Sequence, residues 1–188
     1  MVSLAALWLP IVLSAVIVFV ASSVFHMVLK YHRSDYKRLP DEDKALAALG
    51  GLNIPPGTYV FPCPADPKDM GTPEMLAKYE KGPVGMLTTI GGGPPQMGKY
   101  LGLWFAYCLL VSFFVGYLAS RTVDPGTVYL TVFRVVGTAA FLGYGISPIV
   151  DSVWKHQAWG TTCKHIFDGL VYALLTAGVF GWLWPAGA

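Results

Sequence analysis

From Thr162 to Pro185 the chain reads TCKHIFDGLVYALLTAGVFGWLWP, with no charged residue after Asp168. At about 1.5 Å of helical rise per residue, such a stretch covers roughly 35 Å, enough to cross a hydrocarbon core of ~30 Å. It closes on Trp182, Leu183, Trp184 and Pro185, a pair of interfacial aromatics followed by a helix stop. Three further stretches share this character: Val2 to Leu29, Tyr100 to Ser120 and Thr127 to Val150. A chain of this kind is expected to fold as an all-α membrane protein, a four-transmembrane-helix bundle.

Composition agrees, because 54% hydrophobic and 13% charged residues lie outside the usual soluble range. A formal charge of +2, with no long Lys/Arg run, excludes nucleic acid as a partner class. Cys63, Cys108 and Cys163 are odd in number and lack CxxC spacing, so they read as reduced thiols rather than a disulfide framework or zinc ribbon. The N-terminus has no basic residues ahead of its apolar run. It is therefore expected to stay as a first helix rather than be cleaved as a signal peptide, with Pro10 a source of kinking.

The expected division is residues 1–29 as transmembrane helix 1, 30–98 as a polar insert, and 99–188 as helices 2–4 over 100–120, 127–150 and 162–184. Asp124-Pro125-Gly126 makes a turn between the second and third spans. Nine Lys/Arg side chains fall between Lys30 and Lys99, and Lys155 and Lys164 lie between the last two spans; the opposite face has only Arg121. The positive-inside bias places the insert in the cytoplasm and both termini outside.

The insert carries its own signals. Pro40-Asp41-Glu42-Asp43 reads as a helix start that runs to Gly50-Gly51. Thr72-Pro73-Glu74 supplies an N-cap and N1 proline for a second helix through Lys81. Two β-prone runs, Thr58 to Phe61 and Val84 to Ile90, are expected to pair antiparallel, giving a small mixed α/β insert.

Small residues recur every four positions: Ser112, Gly116 and Ser120; Ala139, Gly143 and Ser147; Ala173, Ala177 and Gly181. This spacing lets helix backbones approach closely in lipid. Either the bundle uses all of these faces internally, or one of them is left for a neighbouring subunit.

Two charges fall inside spans, Arg134 and Asp168, and intramembrane charge is costly enough to mark function or a specific partner. The topology sets them roughly 10 Å apart in depth, too far to pair. Arg134 is expected to snorkel outward, and Asp168 to find a local partner in Lys164 or His165. Near the inner helix ends, His26, Tyr144, Ser147, Asp151, His165 and Asp168 gather, with Lys99 and Tyr100 at the same level. Such a set makes a pocket for a lipid headgroup, a quinone head or a metal, or else merely anchors the interface. His26 and His165 are the two histidines able to share an iron. No CxxCH or HExxH spacing supports haem or metal, however. His26 and His32 stand about 600° apart on a continuous helix, on different faces. No cofactor is expected beyond bound lipid, and no catalytic set stands out.

Three blocks, YHRSDYKRLPDED (Tyr31 to Asp43), GPVGMLTTI (Gly82 to Ile90) and FDGLVYALLTAGVFGWLWP (Phe167 to Pro185), resemble a family of small bacterial multi-pass inner-membrane proteins. The resemblance implies that layout and membrane; the family has no assigned reaction, so no catalytic role transfers. The expected function is a non-catalytic membrane subunit, in a homo-oligomer or with other membrane proteins. The alternative is a lipid-, quinone- or small-molecule-binding or transport protein using the inner pocket.

Overall fold

The computed structural model describes residues 1–187. Four helices in it are long and apolar enough to cross a membrane: Leu4–Val28, Met97–Thr122, Tyr129–Trp154 and Trp159–Trp182. The chain divides into two units, Met1–Lys37 with Gln96–Ala188, and Arg38–Pro95. Residues 30–37, expected at the start of the insert, belong to the helical unit.

The first helix starts as a 3-10 turn, Leu4–Leu7, whose Ser3 N-cap accepts from the Ala6 amide at 3.2 Å. It continues as α1 (Trp8–Ser23) and ends in a π-helical turn, Val24–Val28. Pro10 is accommodated because it lies in the first turn of α1, where the missing N–H has no helical partner. After Leu29, Lys30 takes left-handed backbone angles (φ 58°, ψ 0°), and Tyr31–Ser34 forms a 3-10 turn that doubles back. That conformation is uncommon for a residue with a Cβ and reverses the chain within one residue.

Helix α4 (Met97–Thr122) is long and unbroken. The third span is not. Helix α5 ends at Tyr144, and α6 (Pro148–Trp154) begins with Pro148 at its first turn. The expectation of one continuous helix to Val150 overlooked this proline, which removes a backbone donor and so interrupts the helical hydrogen-bond ladder. Helix α7 (Trp159–Trp182) is continuous.

Within this unit α5 (Tyr129–Tyr144) packs most extensively on α7, and α1 lies against α4 and α7. The small residues are used at these crossings. A Cβ on Gly116 would stand 3.0 Å from Ile11, on Gly137 3.3 Å from Ala177, on Gly143 2.9 Å from Val111 and on Gly181 2.7 Å from Tyr129. Ser14 Oγ and Ser112 Oγ hydrogen-bond at 3.1 Å between α1 and α4. At one end, the Met1 amine approaches Asp124 Oδ1 at 3.5 Å, Trp184 Nε1 donates to the Asp124 carbonyl at 2.9 Å, and the Gly126 amide donates to the Pro185 carbonyl at 2.9 Å. Met1, the Trp184-Pro185 segment and the α4–α5 turn therefore meet there.

The second unit follows its local signals closely. Asp41 caps α2 (Glu42–Gly51), accepting from the Lys44 amide at 3.1 Å. Thr72 caps α3 (Pro73–Lys81), with Pro73 in its first turn. Strands β1 (Gly57–Phe61) and β2 (Gly85–Thr89) pair antiparallel with Tyr59 opposite Leu87.

Candidate functional site

At the end of the helical unit away from the termini, the chain reversal at Lys30 brings Tyr31, His32 and Asp35 onto α7. His32 is 8% exposed and stands between two carboxylates, with Nδ1 2.6 Å from Asp35 Oδ2 and Nε2 2.7 Å from Asp168 Oδ2. Tyr31 donates its hydroxyl to the other oxygen of Asp168. Asp35 in turn accepts from Lys164 Nζ at 2.6 Å and from Thr161 Oγ1 at 3.3 Å. Lys164 Nζ also donates to the Tyr31 carbonyl at 2.8 Å and to Ser34 Oγ at 2.7 Å, tying the doubled-back segment to α7 by its backbone as well.

The partners of Asp168 thus come from the segment after α1. Lys164, expected beside it on the same helix face, turns to Asp35 instead. Burial alone would raise the Asp35 carboxyl; hydrogen bonds from Lys164 and His32, with their charge, outweigh it and hold that carboxyl below its ordinary range. Burial, then the bond to Asp168 and the nearby negative charge, push the Tyr31 phenol well above its usual value. It therefore remains a donor throughout the physiological range.

Two more histidines complete the cluster. The His26 and His32 rings stack with centroids 4.3 Å apart and planes 4° from parallel, and His165 lies on the other side of His32 at 5.2 Å. The expected opposite-face placement of His26 and His32 fails because the helix does not continue: the π-turn and the left-handed Lys30 bring His32 back beneath His26. His26 Nδ1 donates to the Ser22 carbonyl at 2.9 Å, and its Nε2 has no hydrogen bond among the described residues.

Beside this cluster a cavity of about 750 Å³ opens among the helices. Its lining includes His26, Tyr144, Ser147, His165 and Asp168, five of the six residues expected at the inner pocket. Asp151 does not line it and pairs instead with Lys155 at 2.7 Å. Tyr100 is in the wall, whereas Lys99 is not. The rest is mainly apolar and aromatic. Trp104 stacks on Tyr107 at 5.5 Å, Tyr144 meets Tyr172 edge-on at 5.7 Å, and Trp104 is anchored by donating to Ser22 Oγ at 2.8 Å. The Tyr107 hydroxyl donates to the Gly143 carbonyl at 2.6 Å, and that of Tyr144 to the Cys108 carbonyl at 3.3 Å. Tyr172 is 4% exposed, and its hydroxyl has no partner among the described residues.

Arg134 is exposed and makes no ion pair among the described residues, with Asp168 or otherwise. Sequence reasoning missed Tyr31, His32 and Asp35 as site residues. A signal was present in the repeated His-x-x-Asp spacing, His32 to Asp35 and His165 to Asp168, each next to the end of an apolar stretch. No family, curated protein or solved structure matches the chain.

Proposed function

We propose that this chain is a membrane-embedded binding protein for a quinone-class molecule, a flat carbonyl-bearing ring on an apolar tail, held in the cavity beside α7. The observation that carries this reading is the Tyr172 hydroxyl, buried in the wall of an aromatic-lined cavity and without a partner among the described residues. A buried hydroxyl without a bond costs about 1–3 kcal/mol, and a carbonyl acceptor would relieve that cost. Aromatic walls favour a flat ring through offset and edge-on contacts. The volume also lies within the range of roughly 300–1,000 Å³ usual for small-molecule sites.

The reading assumes that the four apolar helices span a bacterial inner membrane with Arg38–Pro95 on the cytoplasmic side, which the Lys/Arg distribution supports. The accessory-subunit alternative rests on surplus small-residue faces: Ser112, Gly116 and Gly181 meet neighbouring helices of the bundle, whereas Ser147 is exposed. The test is an organic extract of the protein purified in mild detergent, analysed by mass spectrometry. A quinone in near-stoichiometric amount, lost in Trp104→Ala, supports the proposal. Phospholipid alone in both preparations, or no retained molecule, overturns it.

A further inference from the structure

One nitrogen from each of His26, His32 and His165 and one oxygen of Asp168 lie within 4.8 Å of one another. From this convergence we propose that the four residues bind a single divalent first-row transition metal at the cavity wall, a site that stands whether or not the cavity takes a quinone.

The donor set is three imidazoles and one carboxylate, which suits zinc and its neighbours rather than calcium or magnesium. Zinc bonds of about 2.0–2.1 Å place tetrahedral ligands on the order of 3.4 Å apart, so loading tilts the stacked His26 and His32 rings out of parallel and opens the 2.7 Å contact between His32 and Asp168. Around two of the three imidazoles, His26 and His32, stands the outer shell that metal-bound imidazoles require, the spare N–H held by an oxygen. His26 directs its Nδ1–H at the Ser22 carbonyl, and His32 directs its own at Asp35, which Lys164 and Thr161 hold in turn. Both rings are thereby left with Nε2 as the ligating atom. Asp168 is oriented by the Tyr31 hydroxyl on one oxygen and presents the other toward His32.

The contact between His32 Nε2 and Asp168 Oδ2 supplies the second argument. His32 stands with Nδ1 2.6 Å from Asp35 and Nε2 2.7 Å from Asp168, one nitrogen against each carboxylate. A nitrogen and a carboxylate oxygen this close need a proton or a cation between them. A proton would satisfy that one contact alone. A metal satisfies it and also accounts for His26 and His165, which converge on the same point and make no ion pair with Asp168. Three of the four ligands line the cavity, so a metal there faces whatever enters it.

The test uses the full chain, purified in detergent without a polyhistidine tag, stripped with a chelator and titrated with Co²⁺ and then Zn²⁺. One equivalent of Co²⁺ should bind with visible d–d absorption, and Zn²⁺ should displace it. His165→Gln should weaken Zn²⁺ binding by about 100-fold or more, at least the loss usual when only an outer-shell partner is removed. His156→Asn, which changes the exposed fourth histidine, should leave binding unchanged. If His165→Gln does not fold, as judged by gel filtration and circular dichroism, His26→Gln gives the same reading from the exposed edge of the cluster. Binding well below one equivalent, or affinity insensitive to these substitutions, overturns the site. So does an equal loss in His156→Asn. None of these results depends on whether a quinone co-purifies.

Discussion

Gly169 of α7 passes so close to Gly145 that a Cβ built on Gly169 would stand 2.7 Å from the Gly145 nitrogen and 2.8 Å from the Tyr144 carbonyl carbon. Both neighbours are backbone and cannot swing away. Gly169→Ala should therefore destabilise the bundle by at least about 1–3 kcal/mol, the usual cost of overpacking. Gly102→Ala, where nothing lies within 4 Å of the new methyl, should be neutral or mildly stabilising. Denaturing-detergent titrations followed by circular dichroism compare the two; equal stability would mean that α5 and α7 do not cross there.

Tyr172→Phe removes a buried hydroxyl that has no partner among the described residues. Stability should stay the same or rise by about 1 kcal/mol, while the amount of quinone retained through purification should fall several-fold. A stability loss above about 1 kcal/mol would show that the hydroxyl is bonded within the protein.

Lys164→Met strips a cation from Asp35, whose side chain is only 4% exposed. The loss should be on the order of 3 kcal/mol, near the low end for an orphaned buried carboxylate because His32 still faces it. Adding Asp35→Asn to Lys164→Met should recover much of that loss. A double variant no more stable than the single one would show that Lys164 acts through Tyr31 and Ser34 instead.

The Ser14–Ser112 bond joins two apolar helices at their crossing. A double-mutant cycle with alanine at each position should give a coupling of about 0.6 kcal/mol, as for hydrogen bonds between helices in lipid. Coupling indistinguishable from zero would mean that the hydroxyls serve only their own helices, as Ser14 does by also donating to the Pro10 carbonyl at 2.6 Å.

Arg134→Leu should leave bundle stability within about 0.5 kcal/mol of the parent, because the side chain is exposed and unpaired among the described residues. A drop of 2 kcal/mol or more by the same titration would reveal a partner that holds it.

The four apolar helices were legible because uncharged length is a one-dimensional property, readable without knowing any neighbour. The elements of the smaller unit were legible for a similar reason: Thr72-Pro73 and Asp41-Glu42 act within a single turn. The cavity wall was partly legible, since His26, Tyr144, Ser147, His165 and Asp168 share a depth set by counting residues from the helix ends. The His32 and Asp35 side of the cluster was not. It depends on one left-handed residue, Lys30, whose type does not announce that conformation. The break before Pro148 was legible in principle, and the hydropathy of the stretch obscured it.

The meeting of Met1, Asp124 and Pro185 at one end has a practical consequence. The first helix alone, Leu4–Val28, separates that end from the imidazoles by roughly 35 Å at ~1.5 Å per residue. A fluorophore attached at Met1 or Pro185 therefore sits a whole helix-length from the cluster, where it can report orientation and copy number without crowding the chemistry.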